Sequence, residues 1–301
     1  MTRREHLQYL SALGLTPIMS SFTPADTVIK RKIPSASESL PVIGLGTWQT
    51  FDVSESEIER NPLKVVLKEL IKGGASVVDS SPMYGRSEKV VGDLSDELGL
   101  NNNLFIATKV WTNGKEDGIR QMKESFSLLR RKQIDLMQIH NLVDWEVHLK
   151  TLRQWKEESK IRYIGITHYT AGALPAMEKI IRDNPIDFIQ LNYSIASREP
   201  ENRILPLAQE RKVAVLVNQP FEEGVLFQRV KGKELPSWTS EMDCSSWAQF
   251  FLKFILSHPA ITCVIPGTSK PHHLIDNLKG GMGALPEAQT RQKMISFMNS
   301  I

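Results

Sequence analysis

The sequence predicts an α/β fold, a parallel eight-stranded (β/α)₈ barrel, in one domain that spans residues 28–301. Short apolar runs rich in Val and Ile alternate with amphipathic segments from about residue 40 onward. Several runs are apolar throughout, which is typical of parallel strands covered on both faces. Eight strand–helix units in about 260 residues fit a barrel better than a doubly wound sheet. A Rossmann fold is not favoured, because "GLGTW" (44–48) lacks the third glycine of the dinucleotide-binding fingerprint.

The predicted strands are the apolar runs at 42–47, 76–80, 104–109, 134–140, 162–167, 187–192, 213–218 and 262–266. Between them, Asn61-Pro62 predicts a helix start and Gly73-Gly74 predicts its end. Later helices are predicted by apolar stripes at helical spacing, which we interpret as core packing with no cofactor role. The stripes are Val90, Val91, Leu94 and Leu98; Ile119, Met122, Phe126 and Leu129; Leu149, Leu152 and Trp155; and Leu174, Met177, Ile180 and Ile181.

Bulk composition excludes several classes of function. A net charge of +3, with no basic stripe interleaved with aromatics, does not favour nucleic-acid binding. No apolar run reaches the roughly 20 residues of a membrane span. Cys244 and Cys263 show neither metal-ligand spacing nor a disulfide framework. A metal site combining Cys263 with His272 and His273 is disfavoured, so we predict no metal.

The N-terminus predicts an export signal. Adjacent Arg3-Arg4 precedes a weakly apolar stretch at 9–19, which resembles a twin-arginine signal and would direct the protein to the periplasm. His6 stands where that pattern prefers an aromatic residue, and no clear cleavage site follows. The alternative is an N-terminal extension on a cytoplasmic protein. Residues 1–27 are therefore set apart from the barrel domain.

Polar residues end three successive strands. Asp79, Lys109 and His140 follow one another at spacings of one strand–helix unit, and Tyr84 lies just beyond Asp79 in "VVDSSPMYGRSE" (77–88). In a parallel barrel these positions meet on the face where such enzymes hold their active sites. Each residue alone is commonly a cap, a surface charge or a packed histidine. Together they favour function, because burying a charge without a partner is costly and a buried ion pair adds little stability.

The four side chains suit proton transfer to a carbonyl oxygen. A phenol with a pKa of about 10 is a weak acid, and a nearby ammonium is expected to lower that pKa. Asp79 would keep Lys109 charged, and His140 could donate to the carbonyl oxygen or share a proton with Tyr84. No side chain supplies a hydride, so a nicotinamide cofactor is required.

The sequence resembles the aldo-keto reductases from about Ile33 to Leu278. The resemblance rests on "LPVIGLGTW" (40–48), "VVDSSPMYGRSE" (77–88), "ATKVW" (107–111), "DLMQIH" (135–140), "IGITHY" (164–169), "IQLNYS" (189–194) and "IPGTSKPHHLIDN" (265–277). It implies a (β/α)₈ barrel that reduces an aldehyde or ketone with NADPH, with NADH as the alternative. It also implies a catalytic tetrad of Asp79, Tyr84, Lys109 and His140, with Tyr84 as the general acid.

The resemblance also implies which residues contact the cofactor and the substrate. Thr167 and His168 replace the family's usual Ser-Asn pair, Asn218 replaces a Tyr that stacks on the nicotinamide in many members, and Gly267 stands where some members have a phosphate-binding lysine. The substrate pocket is predicted to include Trp48 and Trp111, with residues 231–246 along its border. The implied cofactor contacts are Gly46, Thr47, Thr167, His168, Gln190, Asn218, Gln219, Pro220, Phe221, Gly224, Gly267, Thr268, Lys270 and Asn277.

Two alternatives to a reductase stay open. One is a cofactor-binding regulatory subunit that resembles the potassium-channel β-subunits. The other is a barrel lyase that uses Lys109 as a Schiff-base amine, which requires a lysine with a low pKa. The sequence predicts neither the identity of the carbonyl compound nor the oligomeric state.

Overall fold

Eight parallel strands form a nearly closed barrel. The computed structural model describes residues 27–301, and the predicted export signal lies outside this range. The barrel strands are β3 (Leu45–Gly46), β4 (Val77–Asp79), β5 (Phe105–Val110), β6 (Ile134–His140), β7 (Ile161–His168), β8 (Phe188–Asn192), β9 (Ala214–Asn218) and β10 (Ile261–Val264). Each pairs with the next in chain order. Bridges between Ile43 and Val264 and between Gly46 and Gly267 join the first strand to the last. The predicted fold class and its eight strands are confirmed.

A hairpin closes the amino-terminal end of the barrel. It consists of β1 (Lys30–Lys32) and β2 (Ser39–Pro41), which pair antiparallel. Ile33 and Leu40 from this hairpin pack on the residues that begin the barrel strands, among them Phe105 and Phe188. Apolar side chains therefore fill the amino-terminal end of the barrel, and a ligand has access from the carboxyl-terminal end.

Helices surround the barrel and cover its outer face. They are α1 (Glu57–Lys72), α2 (Ser87–Glu97), α3 (Lys115–Leu128), α4 (Trp145–Glu157), α5 (Leu174–Asp183), α6 (Ile204–Glu210), α7 (Val225–Arg229), α8 (Trp247–Leu256), α9 (Pro271–Gly280) and α10 (Ala288–Asn299). The apolar stripes predicted from the sequence face the strands in one continuous core. Within residues 27–301, no helix combines the length and apolar character needed to cross a membrane.

The predicted start of the first helix is wrong. The helix begins at Glu57, so Asn61 and Pro62 lie inside it, although Gly73 ends it as predicted. The carboxylate of Glu59 accepts from the backbone N–H of Ser54 at 2.9 Å, and this contact stabilises the chain where it enters the helix. Pro62 is the sixth residue of the helix and has no N–H to donate to Ile58 O, so one hydrogen bond of the helix is missing there.

Arg291 attaches the last helix to the barrel. Its guanidinium donates to Phe254 O at 2.7 Å and to Ser257 Oγ at 2.9 Å, pairs with Glu201, and lies 3.9 Å from the centre of the Phe254 ring. One side chain therefore connects α10 to α8 and to the segment that precedes α6.

Candidate active site

Polar side chains meet at the carboxyl-terminal ends of β4, β5 and β6. In the sheet register, Asp79 lies opposite Ala107, and Lys109 lies opposite Gln138 on the next strand. Asp79, Tyr84 and His140 line a cavity of about 780 Å³. Lys109 does not line it, but contacts Asp79 and Tyr84, which do. The strand ends therefore bring the predicted residues to the open end of the barrel.

Lys109 and Asp79 form a buried ion pair. Lys109 Nζ lies 2.7 Å from Asp79 Oδ2 and also donates to Ser80 O at 2.6 Å. The side chains of Lys109 and Asp79 are only 1% and 3% exposed. Burial alone would lower the pKa of Lys109, but the opposite charge of Asp79, joined at high pH by that of an ionised Tyr84, raises it above its ordinary value. The amine is therefore charged at neutral pH.

The phenol of Tyr84 lies against that charged amine. Lys109 Nζ is 4.9 Å from the centre of the Tyr84 ring. Burial raises the pKa of Tyr84, the charge of Lys109 lowers it, and the net result is a pKa above 10.0. The net direction is opposite to the one expected from the ammonium alone, because the phenolate also loses its hydration. Tyr84 is thus protonated at neutral pH and available as a proton donor.

His140 is neutral, and a serine that the sequence reasoning missed fixes its tautomer. Burial, followed by the charge of Lys109, lowers the pKa of His140 to about 3. Ser81 Oγ accepts from the Met83 N–H at 3.4 Å and lies 3.1 Å from His140 Nδ1. We assign the Ser81 hydroxyl as the donor to Nδ1, so Nε2 carries the ring proton. Ser81 lies two residues after the end of β4, and its position there is the sequence feature that could have identified it as a site residue.

A second buried carboxyl lies near the pair. Glu88 on α2 accepts from Thr108 Oγ1 at 2.5 Å and from Ser125 Oγ at 3.1 Å. Burial raises the pKa of Glu88 to about 7, against the lowering effect of these two hydrogen bonds and of Lys109. The helix that follows Tyr84 is therefore attached to β5 and α3 by a side chain that titrates near neutral pH.

The cavity contains most of the residues predicted to contact ligands. Trp48, Trp111 and nine of the predicted cofactor residues line it, namely Gly46, Thr47, Thr167, Asn218, Gln219, Pro220, Phe221, Gly224 and Gly267.

Five predicted cofactor residues do not line this cavity. His168 is half-buried against Tyr169, with the ring centres 5.6 Å apart. Gln190 is buried beneath the cavity and accepts from Gln138 Nε2 at 3.4 Å. The other three lie at the start of α9 or within it: Thr268, Lys270 and Asn277.

Two amide oxygens in the cavity lining have no partner among the described residues. Asn141 Oδ1 and Asn218 Oδ1 are buried and accept no hydrogen bond within residues 27–301. Because a buried acceptor without a donor is costly, both favour a ligand with N–H groups, such as a carboxamide. Gly46 and Gly267 line the same cavity, where the lack of a side chain leaves room for a ligand. These features fit a nicotinamide cofactor.

The segment 231–246 does not line the cavity, which overturns its predicted role. Its Trp238 ring packs 6.1 Å from Phe250 on α8, and Lys293 on α10 covers that ring at 4.5 Å. The segment therefore packs on the outer helices. The cavity lining also includes residues that the sequence did not single out, namely Gln49, Thr50, Met83, Asn141, Tyr169, Glu223, Phe227 and Ile265.

Comparison with known proteins agrees with this geometry. The model of the Aldo/keto reductase family matches residues 42–292. The chain is similar to "Methylglyoxal reductase YeaE" of Escherichia coli, with 24% identity over 79% of this chain and 84% of the relative. It is also similar to the "NADH-specific methylglyoxal reductase" of the same organism, with 27% identity over 65% of this chain and 69% of that relative.

The fold is shared with a solved aldo/keto reductase from Klebsiella pneumoniae in complex with NADP and acetate. The TM-score is 0.72 and the identity is 21%, over 86% of this chain and 92% of the other. The family match over residues 42–292 shows that the chain belongs to the aldo/keto reductase family.

Proposed function

We propose that this protein is an NAD(P)H-dependent reductase that converts an aldehyde or ketone to the alcohol. The observation that carries the proposal is the buried Lys109–Asp79 pair with the Tyr84 ring beside its ammonium, because Asp79 and Tyr84 both line the cavity. Known relatives that reduce methylglyoxal support the same chemistry.

In this proposal, Tyr84 is the proton donor. A bound nicotinamide cofactor supplies the hydride to the carbonyl carbon. Tyr84 donates its phenolic proton to the carbonyl oxygen as negative charge develops there, and the ammonium of Lys109 stabilises the phenolate that is left. Asp79 keeps Lys109 charged and in place. His140 Nε2–H donates a hydrogen bond to the same oxygen and orients the carbonyl group.

The proposed cofactor is NADPH, with NADH as the alternative. Thr167, Asn218 and residues of the loop 219–224 would hold the nicotinamide half, because they line the cavity and Asn218 carries one of its two unpaired amide oxygens. Lys270 and Thr268, at the start of α9, would take the 2′-phosphate, for which a helix amino terminus is a suitable site. His168, Gln190 and Asn277 lie outside the cavity, and their proposed cofactor roles rest on the family resemblance alone.

Titration of the protein's fluorescence with NADPH and NADH tests this proposal, together with turnover of 4-nitrobenzaldehyde. We expect both cofactors to bind, NADPH more tightly, and the aldehyde to be reduced. Absence of binding by either cofactor would overturn the proposal. Tight NADPH binding with no turnover would favour the regulatory-subunit alternative.

The lyase alternative is disfavoured by the charge state of Lys109. A Schiff-base amine must be unprotonated to attack a carbonyl carbon, whereas Asp79 stabilises the protonated amine. Failure of borohydride to trap a carbonyl compound on Lys109 is the expected result.

We also propose that the protein is exported to the periplasm, with a cytoplasmic location as the alternative. The support is the Arg3-Arg4 pair and the apolar stretch that follows it, in the part of the chain outside the described residues. Mass spectrometry of the mature N-terminus in the native host tests this, and a protein retaining residues 1–27 would contradict it.

A further inference from the structure

Trp111 has a half-exposed indole, and within residues 27–301 no other aromatic ring packs closely on it. It is 41% exposed and lines the cavity, and the nearest ring centre recorded for it, that of His140, is 6.5 Å away. Packing alone therefore fixes the indole weakly. Its position depends on the backbone from which it projects.

Gln121 holds that backbone at two points. Its side-chain Oε1 accepts from the Trp111 N–H at 2.6 Å, and its Nε2 donates to Trp111 O at 3.1 Å. Gln121 lies on α3 and does not line the cavity. Because one planar amide bonds both the N–H and the C=O of Trp111, it restricts rotation of that backbone, as hydrogen bonding to a neighbouring strand would.

The residues after Trp111 are attached from a second direction. His148 Nε2 on α4 lies 2.7 Å from Thr112 O, and Asp144 Oδ2 accepts from the Gly114 N–H at 2.7 Å. His148 is fully buried. A Cβ at position 118 on α3 would come within 2.4 Å of its ring, so Gly118 makes room for the imidazole. Glycine inside a helix is normally unfavourable, and this contact gives a reason for its presence there.

We propose that Gln121 is a positioning residue that holds the Trp111 indole beside the reacting carbonyl, and thereby favours carbonyl compounds with an aromatic body over small ones. The substrate preference rests on the proposed reductase function. The indole presents a flat apolar face next to His140, and aromatic groups pack on such faces. Gln121 acts through Trp111 and touches neither the substrate nor the catalytic side chains.

The position of the indole is measured without turnover by fluorine NMR of protein labelled with 5-fluorotryptophan. The chain has six tryptophans, and the Trp111 signal is assigned by its loss in Trp111→Phe. In Gln121→Ala we expect that signal to shift or broaden while the other five stay in place. An unchanged Trp111 signal would overturn the positioning role, even if the protein reduces no carbonyl compound.

Kinetics then test the effect on substrate choice. For Gln121→Ala we expect KM for 4-nitrobenzaldehyde to rise about five- to tenfold, with kcat, KM for methylglyoxal and the Kd of NADPH within about twofold of wild type. In a Trp111→Ala background the same change should have less than about a twofold effect. Gln121→Glu keeps the acceptor for the Trp111 N–H but replaces the donor with a carboxylate oxygen that faces Trp111 O, so we expect KM for 4-nitrobenzaldehyde to rise in this variant too. It replaces Gln121→Ala if the latter does not fold.

Gln154→Ala is the matched control, because Gln154 is exposed on the next helix and, within residues 27–301, its side chain bonds only Glu158. We expect it to match wild type in both experiments. Equal KM increases for both carbonyl compounds, or full additivity with Trp111→Ala, would overturn the proposed route through the indole. Failure of the wild type to reduce either compound would instead refute the reductase function, and the NMR result would still decide the role of Gln121.

Discussion

Replacing Lys109 by methionine separates the stability of the active site from its chemistry. The change removes an ammonium that lies 2.7 Å from Asp79 Oδ2. Among the described residues, the one side chain that then still donates to this carboxylate is Gln138, whose Nε2 lies 3.2 Å from Asp79 Oδ1. Because Asp79 is buried, loss of its ionic partner should cost about 3–5 kcal/mol of unfolding free energy. For a domain of this size the melting temperature should fall by roughly 6–20 °C.

The double variant Asp79→Asn/Lys109→Met provides the decisive comparison. It buries no charge at this position, so its unfolding free energy should return to within about 2 kcal/mol of wild type. Carbonyl reduction should still be absent, because no ammonium stabilises the phenolate of Tyr84. Urea unfolding and turnover of 4-nitrobenzaldehyde measure the two effects.

Lys72→Met is the matched control, since Lys72 pairs with Glu69 at 3.4 Å on the surface. Its effect should be below about 1 kcal/mol, with activity unchanged. If Lys109→Met unfolds within about 1 kcal/mol of wild type, the buried pair does not have the energetic role assigned to it. Near-wild-type turnover by the double variant would show that Lys109 is not needed for catalysis.

Three further predictions follow from the buried polar groups. Because the folded-state pKa of Glu88 is raised from 4.5 to about 7, wild type loses stability as pH rises from about 4.5 through 7. In urea unfolding, Glu88→Gln should exceed wild type by up to about 3 kcal/mol at pH 8 and match it near pH 4, below the unfolded-state pKa. An equal difference at both pH values would contradict this. Because the pKa of His140 is about 3, kcat should show no inflection near pH 6.5. Ser81→Ala removes the hydroxyl that fixes the tautomer of His140, so it should lower kcat about tenfold without changing the Kd of NADPH. An unchanged kcat would refute the role of Ser81. Arg291→Ala should cost about 3 kcal/mol in unfolding free energy, because it detaches α10 and removes the ionic partner of Glu201. Neither residue lines the cavity, so kcat at 25 °C should be unchanged; a loss of kcat without a loss of stability would contradict this.

The barrel could be predicted from the sequence because its strands and its helices each have a pattern that is visible in a short stretch of chain. Fully apolar strand runs and helical stripes repeat along the chain, and spacing of one strand–helix unit placed Asp79, Lys109 and His140 on one face. The start of α1 could not be predicted in this way. Asn61-Pro62 is a typical helix start, but the helix extends a turn further because Glu59 reaches back to Ser54.

The properties of the active site depended on burial, which the sequence does not specify. The sign of the Tyr84 pKa shift follows from a balance between lost hydration and the charge of Lys109, and only the second could be read from residue types. The neutral state of His140 has the same origin. The segment 231–246 was predicted to border the pocket, but its Trp238 ring packs on Phe250 of α8 instead.

The central claim is that Tyr84 protonates the carbonyl oxygen with help from Lys109, and Tyr84→Phe tests it most directly. The variant keeps the ring beside Lys109 and removes only the hydroxyl. With saturating NADPH and 4-nitrobenzaldehyde, kcat should fall at least about 100-fold while the Kd of NADPH, measured by fluorescence, stays within about twofold of wild type. A variant whose kcat stays within about threefold of wild type would contradict the claim.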